Sequence, residues 1–135
     1  IIGGTEEGIA ATISDISSEG KIFIANDNAV GQVVISGEMK AIDYIVENSK
    51  KLGLKKVIKL SVSAPFHSEF MMTASMTMQN EIDKFSFKVF AVPIYSNVTS
   101  LPCNEVEIKQ ILEQQIVKTV RRREIITNKI NEKAL

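Results

Sequence analysis

The chain has 135 residues, 44% apolar and 24% charged, and its 16 basic side chains balance 16 acidic ones. That composition suits one soluble globular domain, or one small domain with part of another, and the null net charge excludes an overall field that would draw in nucleic acid or anionic lipid. A lone cysteine, Cys103, rules out an intrachain disulfide and agrees with a reducing compartment. No signal-peptide pattern is visible and no apolar run nears the ~20 residues needed to span a bilayer, so the expected setting is cytoplasmic, with no membrane partner.

Ile1-Ile2-Gly3-Gly4 reads as the end of a strand entering a turn, and a chain that begins inside an apolar pattern is expected to be a piece of a longer protein. Thr5 can cap a helix, with Glu6 and Glu7 in its first turn where the helix dipole favours negative charge. Ile9, Ile13 and Ile16 form one apolar stripe, and Gly20 stops that helix. Lys21 to Ala25 is a predicted strand, Asn26-Asp27-Asn28 a turn cluster, and Gly31 to Gly37 a second strand. A helix follows, with Met39, Ile42, Ile45, Val46 and Leu52 on one side and Lys40, Asp43, Glu47 and Lys51 opposite. Gly53 ends it, and Lys55 to Val62 is a further strand, read as buried. Residues 1–62 therefore spell β-α-β-β-α-β, the pattern of a ferredoxin-like subdomain.

The second half differs. Met71, Ala74, Met78, Ile82 and Phe85 recur at helical spacing between Phe66 and Phe85, a stripe read as core filling. Phe87 to Tyr95 is a predicted strand, followed by the Ser96-Asn97-Val98-Thr99 loop. From about Glu105 a long helix is expected, with Ile108, Ile111, Leu112, Ile116 and Val120 on one side, the apolar pattern continuing through Ile125, Ile126 and Ile130. Arg121-Arg122-Arg123 reads as a solvated helix face. One strand between helices leaves its backbone groups unpaired, so residues 63–135 read as part of an α/β domain whose other strands lie elsewhere.

Chemistry centres on His67, the only histidine, in Ser61-Val62-Ser63-Ala64-Pro65-Phe66-His67-Ser68, where a predicted strand gives way to a helix. Taken alone, a histidine beside a proline turn is most often a surface or capping residue. It is also the side chain whose ordinary pKa, about 6.5, suits proton transfer near neutrality. There is no Cys or His cluster for zinc, no dinucleotide fingerprint, no phosphate-binding loop and no Gly-x-Ser-x-Gly elbow, so no metal or cofactor is expected and no nucleophile is identifiable in the chain.

The His67 segment, preceded by Gly31-Gln32-Val33-Val34-Ile35-Ser36-Gly37, resembles the malonyl-CoA:acyl carrier protein transacylase family and the related acyltransferase domains of polyketide and animal fatty acid synthases. The likeness extends to Ile1-Ile2-Gly3, Tyr95-Ser96-Asn97-Val98-Thr99 and Leu112-Glu113-Gln114-Gln115-Ile116. It implies an α/β (α+β) fold, a ferredoxin-like subdomain over 1–62 followed over 63–135 by part of an α/β-hydrolase-like acyltransferase domain. It further implies ping-pong transfer of malonyl from coenzyme A to the phosphopantetheine thiol of acyl carrier protein in fatty acid biosynthesis, by a serine outside this chain with His67 as general base and acid. Gln115 matches the glutamine that supports the histidine, and Asn28, Asn97 and Phe66 match positions near the substrate cleft. The chain departs from the family at Val30, where proline is usual, and at Arg122, where tryptophan is usual. Two further readings stay open: a catalytically silent remnant or interaction module built on the ferredoxin-like unit, and a free-standing binding domain. Nucleic acid is not an expected partner, since aromatics are only 6% and no basic face exists.

Overall fold

The structure is a computed structural model that describes residues 1–4 and 6–133; the expected Thr5 cap lies outside them. It is a mixed α/β fold, and its best-formed core lies in the first half. Strands β1 (Ile22–Ala29) and β2 (Gln32–Gly37) form an antiparallel hairpin, with Phe23 opposite Ser36 and Ile24 opposite Ile35. Ile2 bridges antiparallel to both Gln32 and Lys56, its amide donating to the Lys56 carbonyl at 2.8 Å. The backbone order across this face is therefore Lys56, Ile2, β2, β1.

Helices α1 (Glu6–Asp15) and α2 (Met39–Asn48) supply the rest of that core. Ile9 and Ile16 from the predicted stripe are buried beside Val33, Ile45 and Leu54, with Ile13, Ile22, Ile35 and Leu52 packed around them. At Gly31 (φ +70°) the hairpin turns so closely under the first residues that an added Cβ would lie 3.2 Å from the Gly4 carbonyl oxygen. Only glycine takes that backbone without strain.

Several expectations are corrected. Asn26-Asp27-Asn28 is not a turn but part of β1, where the register shifts on either side of Asn26-Asp27. Those polar residues are held by other backbone: the Asp27 amide donates to the Val120 carbonyl at 2.9 Å, and Val120 bridges parallel to Asn26. The predicted strand 55–62 reduces to the single bridge at Lys56, and Ile58, Leu60 and Val62 are at least half exposed instead of buried. Apolar composition favoured a strand there, but Ile1 to Gly3 is too short to pair beyond Lys56.

In the second half, the helix expected from Phe66 begins only with a single 3-10 turn at Glu69–Met71 and then α3 (Met72–Ile82), because His67 adopts φ +57° and Ser68 is extended. Of the predicted stripe only Ile82 is core: Met71 is half-buried, Ala74, Met78 and Phe85 are exposed, and α3 also buries Ser75. Phe87 to Tyr95 yields only the short strand β3 (Ile94–Tyr95), paired with β4 (Pro102–Cys103).

The single late helix is two, α4 (Ile108–Gln114) and α5 (Arg122–Lys133), with a non-helical connection between them. α4 packs on α3, where the Ser75 hydroxyl donates to the Glu113 carbonyl at 2.9 Å. The arginine run is no uniform solvated face. Arg123 forks onto Asp27, Nε–O distances 3.0 and 2.9 Å, while Arg121 pairs with Glu124 and only Arg122 stays exposed. Among the described residues no helix is long and apolar enough to cross a membrane.

Burial sets the first prediction. Ile45, 1% exposed, should lose about 2–5 kcal/mol of unfolding free energy on Ile45→Ala, whereas Met76→Gln, at 61% exposure, should change it by less than about 0.5 kcal/mol, both read by denaturant titration.

Candidate active site around His67

The segment from Ala64 to Ser68 is shaped by its own backbone. The Phe66 amide donates to the Ala64 carbonyl at 2.9 Å, and the buried Ser68 hydroxyl donates to the Pro65 carbonyl. Between these contacts His67 stands in the left-handed region, φ +57°, an uncommon state for a residue with a Cβ.

Two contacts hold it there. The His67 amide donates to the Ile116 carbonyl at 3.2 Å, and ring Nδ1 lies 2.8 Å from the Gln115 carbonyl oxygen. A carbonyl only accepts, so Nδ1 must carry the hydrogen, which leaves Nε2 of the neutral ring with its lone pair free to take a proton. Those two carbonyls are available because they lie just past the end of α4, where helical C=O groups lack intrahelical partners. His67 thus completes the end of α4 while α4 orients its ring.

The expected support from Gln115 is therefore made by its main chain; the Gln115 side chain forms no hydrogen bond among the described residues. Phe66 is 48% exposed, and its carbonyl accepts the Ser36 hydroxyl of β2 at 3.1 Å. His67 and Phe66 together line an open, mainly apolar groove of about 670 Å³, walled by β2, α2 and the Val57–Leu60 run. Asn28 and Asn97 do not line it. Asn28 is the unpaired residue of the β1 irregularity between Asp27 and Ala29, and Asn97 sits in the loop after β3, its carbonyl accepting the Arg121 amide at 3.2 Å. Among the described residues no group of three or more His, Cys, Asp or Glu is arranged to hold a metal.

The sequence reading missed the connection between α4 and α5. The Thr119 hydroxyl donates to the Ile24 carbonyl at 2.7 Å, the Val120 amide donates to the Ala25 carbonyl at 2.8 Å, and the Arg121 guanidinium donates to the Val98 carbonyl at 3.0 Å. Arg121, Arg123, Asp27 and Glu124 ring a smaller cavity of about 290 Å³ floored by Ile9, Ile24 and Val33. Hydrogen bonding from Arg121 holds the Glu124 carboxyl below the usual carboxylate range, against the opposing effect of partial burial. The signal available was Ser36, a polar residue within an otherwise apolar strand, and Asp27, the one charge in the Asn26-Asp27-Asn28 cluster.

No family model matches the chain. Its sequence is 35% identical over 134 residues to malonyl CoA-acyl carrier protein transacylase of Bacillus subtilis (strain 168), an alignment covering 98% of this chain and 42% of that protein. Its fold superposes on the acyl-carrier-protein S-malonyltransferase of Bartonella henselae with TM-score 0.90 at 37% identity, covering 97% of this chain and 42% of that one. The corresponding enzyme of Burkholderia pseudomallei 1710b gives TM-score 0.92 at 28% identity over 98% of this chain and 44% of that one. The chain thus spans less than half the length of the relatives it matches. Over the stretch it spans, the chain is similar in sequence and in fold to malonyl CoA-acyl carrier protein transacylases.

Proposed function

We propose that this chain is the histidine-bearing, C-terminal part of an acyltransferase that moves malonyl from coenzyme A to the phosphopantetheine thiol of acyl carrier protein in fatty acid biosynthesis. The observation that carries this is the Nδ1 contact of His67 to the Gln115 carbonyl, which fixes the tautomer and leaves Nε2 as the base at the edge of a groove.

The reaction follows from that nitrogen. A serine outside this chain gives its hydroxyl proton to Nε2 as its oxygen attacks the thioester carbonyl, forming a tetrahedral oxyanion. The adduct collapses, the C–S bond breaks, and the imidazolium returns the proton to the departing coenzyme A sulfur. Malonyl is then an ester on serine. The carrier-protein thiol next gives its proton to Nε2 and attacks the ester, and the imidazolium reprotonates the serine oxygen as it leaves. No carboxylate is needed behind the ring, because the Gln115 carbonyl supplies the orientation. Phe66 walls the groove beside the acyl group.

We assign residues 1–62 to a ferredoxin-like subdomain and 63–135 to part of the acyltransferase domain. The order Lys56, Ile2, β2, β1 supports the first assignment, being the arrangement of a split βαβ unit. The expected setting is the cytoplasm. Ser68, 1% exposed, already donates its hydroxyl to Pro65 and so is not at hand as a surrogate nucleophile.

The test replaces the matching segment of the Bacillus subtilis relative with this chain and follows radiolabelled malonyl from coenzyme A to acyl carrier protein. Transfer is expected, falling about 10²- to 10⁴-fold on His67→Ala, while the 135-residue chain alone gives none. A folded chimera that is inactive, or indifferent to His67→Ala, sinks the reading. A second expectation concerns Gln115. Since its main chain makes the contact, Gln115→Ala should leave the His67 ring in the Nδ1–H tautomer, read from the imidazole ¹⁵N shifts of the only histidine.

A further inference from the structure

His67 lies on a closed circuit of contacts that the reaction itself does not require. Going one way, its amide and Nδ1 meet the Ile116 and Gln115 carbonyls. Residues 119 and 120, just downstream, bond to Ile24, Ala25 and Asp27 of β1 through the Thr119 hydroxyl and the Val120 backbone. The hairpin register then places Phe23 of β1 opposite Ser36 of β2. The Ser36 hydroxyl donates at 3.1 Å to the carbonyl of Phe66, the residue next to His67. The circuit closes on the ring it began with.

One ion pair clamps the far end of this connection to the hairpin. Arg123 places Nε 3.0 and 2.9 Å from the two Asp27 oxygens and a terminal nitrogen 2.7 Å from one of them. The pair is largely shielded, with side chains 28% and 15% exposed. A forked guanidinium–carboxylate contact fixes distance and angle together, which a lysine could not do.

We propose that Ser36 and the Asp27–Arg123 pair are positioning residues for His67, setting through the hairpin and the 115–123 connection how firmly Nδ1–H is held on the Gln115 carbonyl. Neither need touch substrate. A free histidine side chain favours hydrogen on Nε2, so the circuit works against an intrinsic preference, and loosening it returns the ring toward the tautomer whose Nε2 cannot accept a proton. This assignment rests on His67 being the base, but its readout does not.

The chain holds a single histidine, so its imidazole ¹⁵N resonances are unambiguous in the full 135-residue protein. Ser36→Ala and Arg123→Ala are each expected to lower the ratio of Nδ1–H to Nε2–H tautomer about three- to tenfold, within the usual span of coupling between linked sites. Arg123→Lys, keeping charge but losing the fork, should lie between wild type and Arg123→Ala. Circular dichroism checks the fold of each variant; should Arg123→Ala unfold, Ser36→Ala, which deletes one partly exposed hydroxyl, reads the same circuit. Wild-type imidazole signals in the folded variants overturn the proposal. A shifted tautomer together with a chimera indifferent to His67→Ala would keep the positioning and discard the catalytic role, so the two failures are distinguishable. A charge-only, purely structural role for Arg123 would move stability and leave the tautomer untouched.

Discussion

An imidazole held in a left-handed backbone by two spare carbonyls is the constraint on which the site depends. The left-handed state costs roughly 1–2 kcal/mol for a residue with a Cβ. Two hydrogen bonds, each worth about 0.5–1.5 kcal/mol net, offset that cost with little to spare. Neither partner has another obligation, because the carbonyls at the end of α4 would otherwise face solvent unpaired. The strain on His67 and the loose end of α4 answer each other. A neutral carbonyl behind the ring also differs in kind from a carboxylate: it orients the imidazole without adding a negative charge that would stabilise the imidazolium.

The same connection that ends at α4 joins the two halves of the chain. Residues 1–62 have their own core around Ile9, Ile45 and Leu54 and stand on apolar burial. The second half has little of this. Its buried apolar residues are Ile82, Ile108 and Ile111, and much of α3 and the 85–92 stretch presents apolar side chains outward. Beside the edge-to-face contact of Phe23 with Phe70, what places the second half against the first is largely directional: Thr119 and Val120 on β1, Arg123 on Asp27, Ser36 on Phe66. Directional contacts of this kind fix geometry more than they add stability.

Legibility in the sequence divides along the same line. Where an element buries its own stripe against a neighbour close in sequence, the pattern sufficed: Ile9 and Ile16 are inside, the second hairpin strand ends at Gly37 as expected, and Gly53 takes a positive φ past α2. Where an element needs a distant partner, apolarity misled. The 57–62 run and Phe87 to Pro93 read as strands because they are apolar and β-branched, yet no neighbouring backbone among the described residues pairs with them. The α3 methionines failed for a related reason. Helical spacing identifies a face without saying what covers it, and α4 meets α3 through the Ser75 hydroxyl on the Glu113 carbonyl. His67 was found as chemistry, but not its left-handed backbone, since the Pro65 turn hides a conformation set by carbonyls 48 residues away.

The Asn26-Asp27-Asn28 cluster makes the physical reason sharper. Three consecutive turn-forming residues argue for a turn whenever only local hydrogen bonding is weighed. Here the backbone around them is drawn outward to Val120, the strand absorbs the excess residue as an irregularity, and the Asp27 carboxylate is left facing Arg123 across the join. A local rule was outweighed by two long-range contacts made by a segment 90-odd residues later in the chain. Bulges that re-aim a side chain recur beside functional sites for this reason. The polar cluster that looked like punctuation is the place where the hairpin is fastened to the segment that holds His67, so its conformation and that of the ring belong to one arrangement.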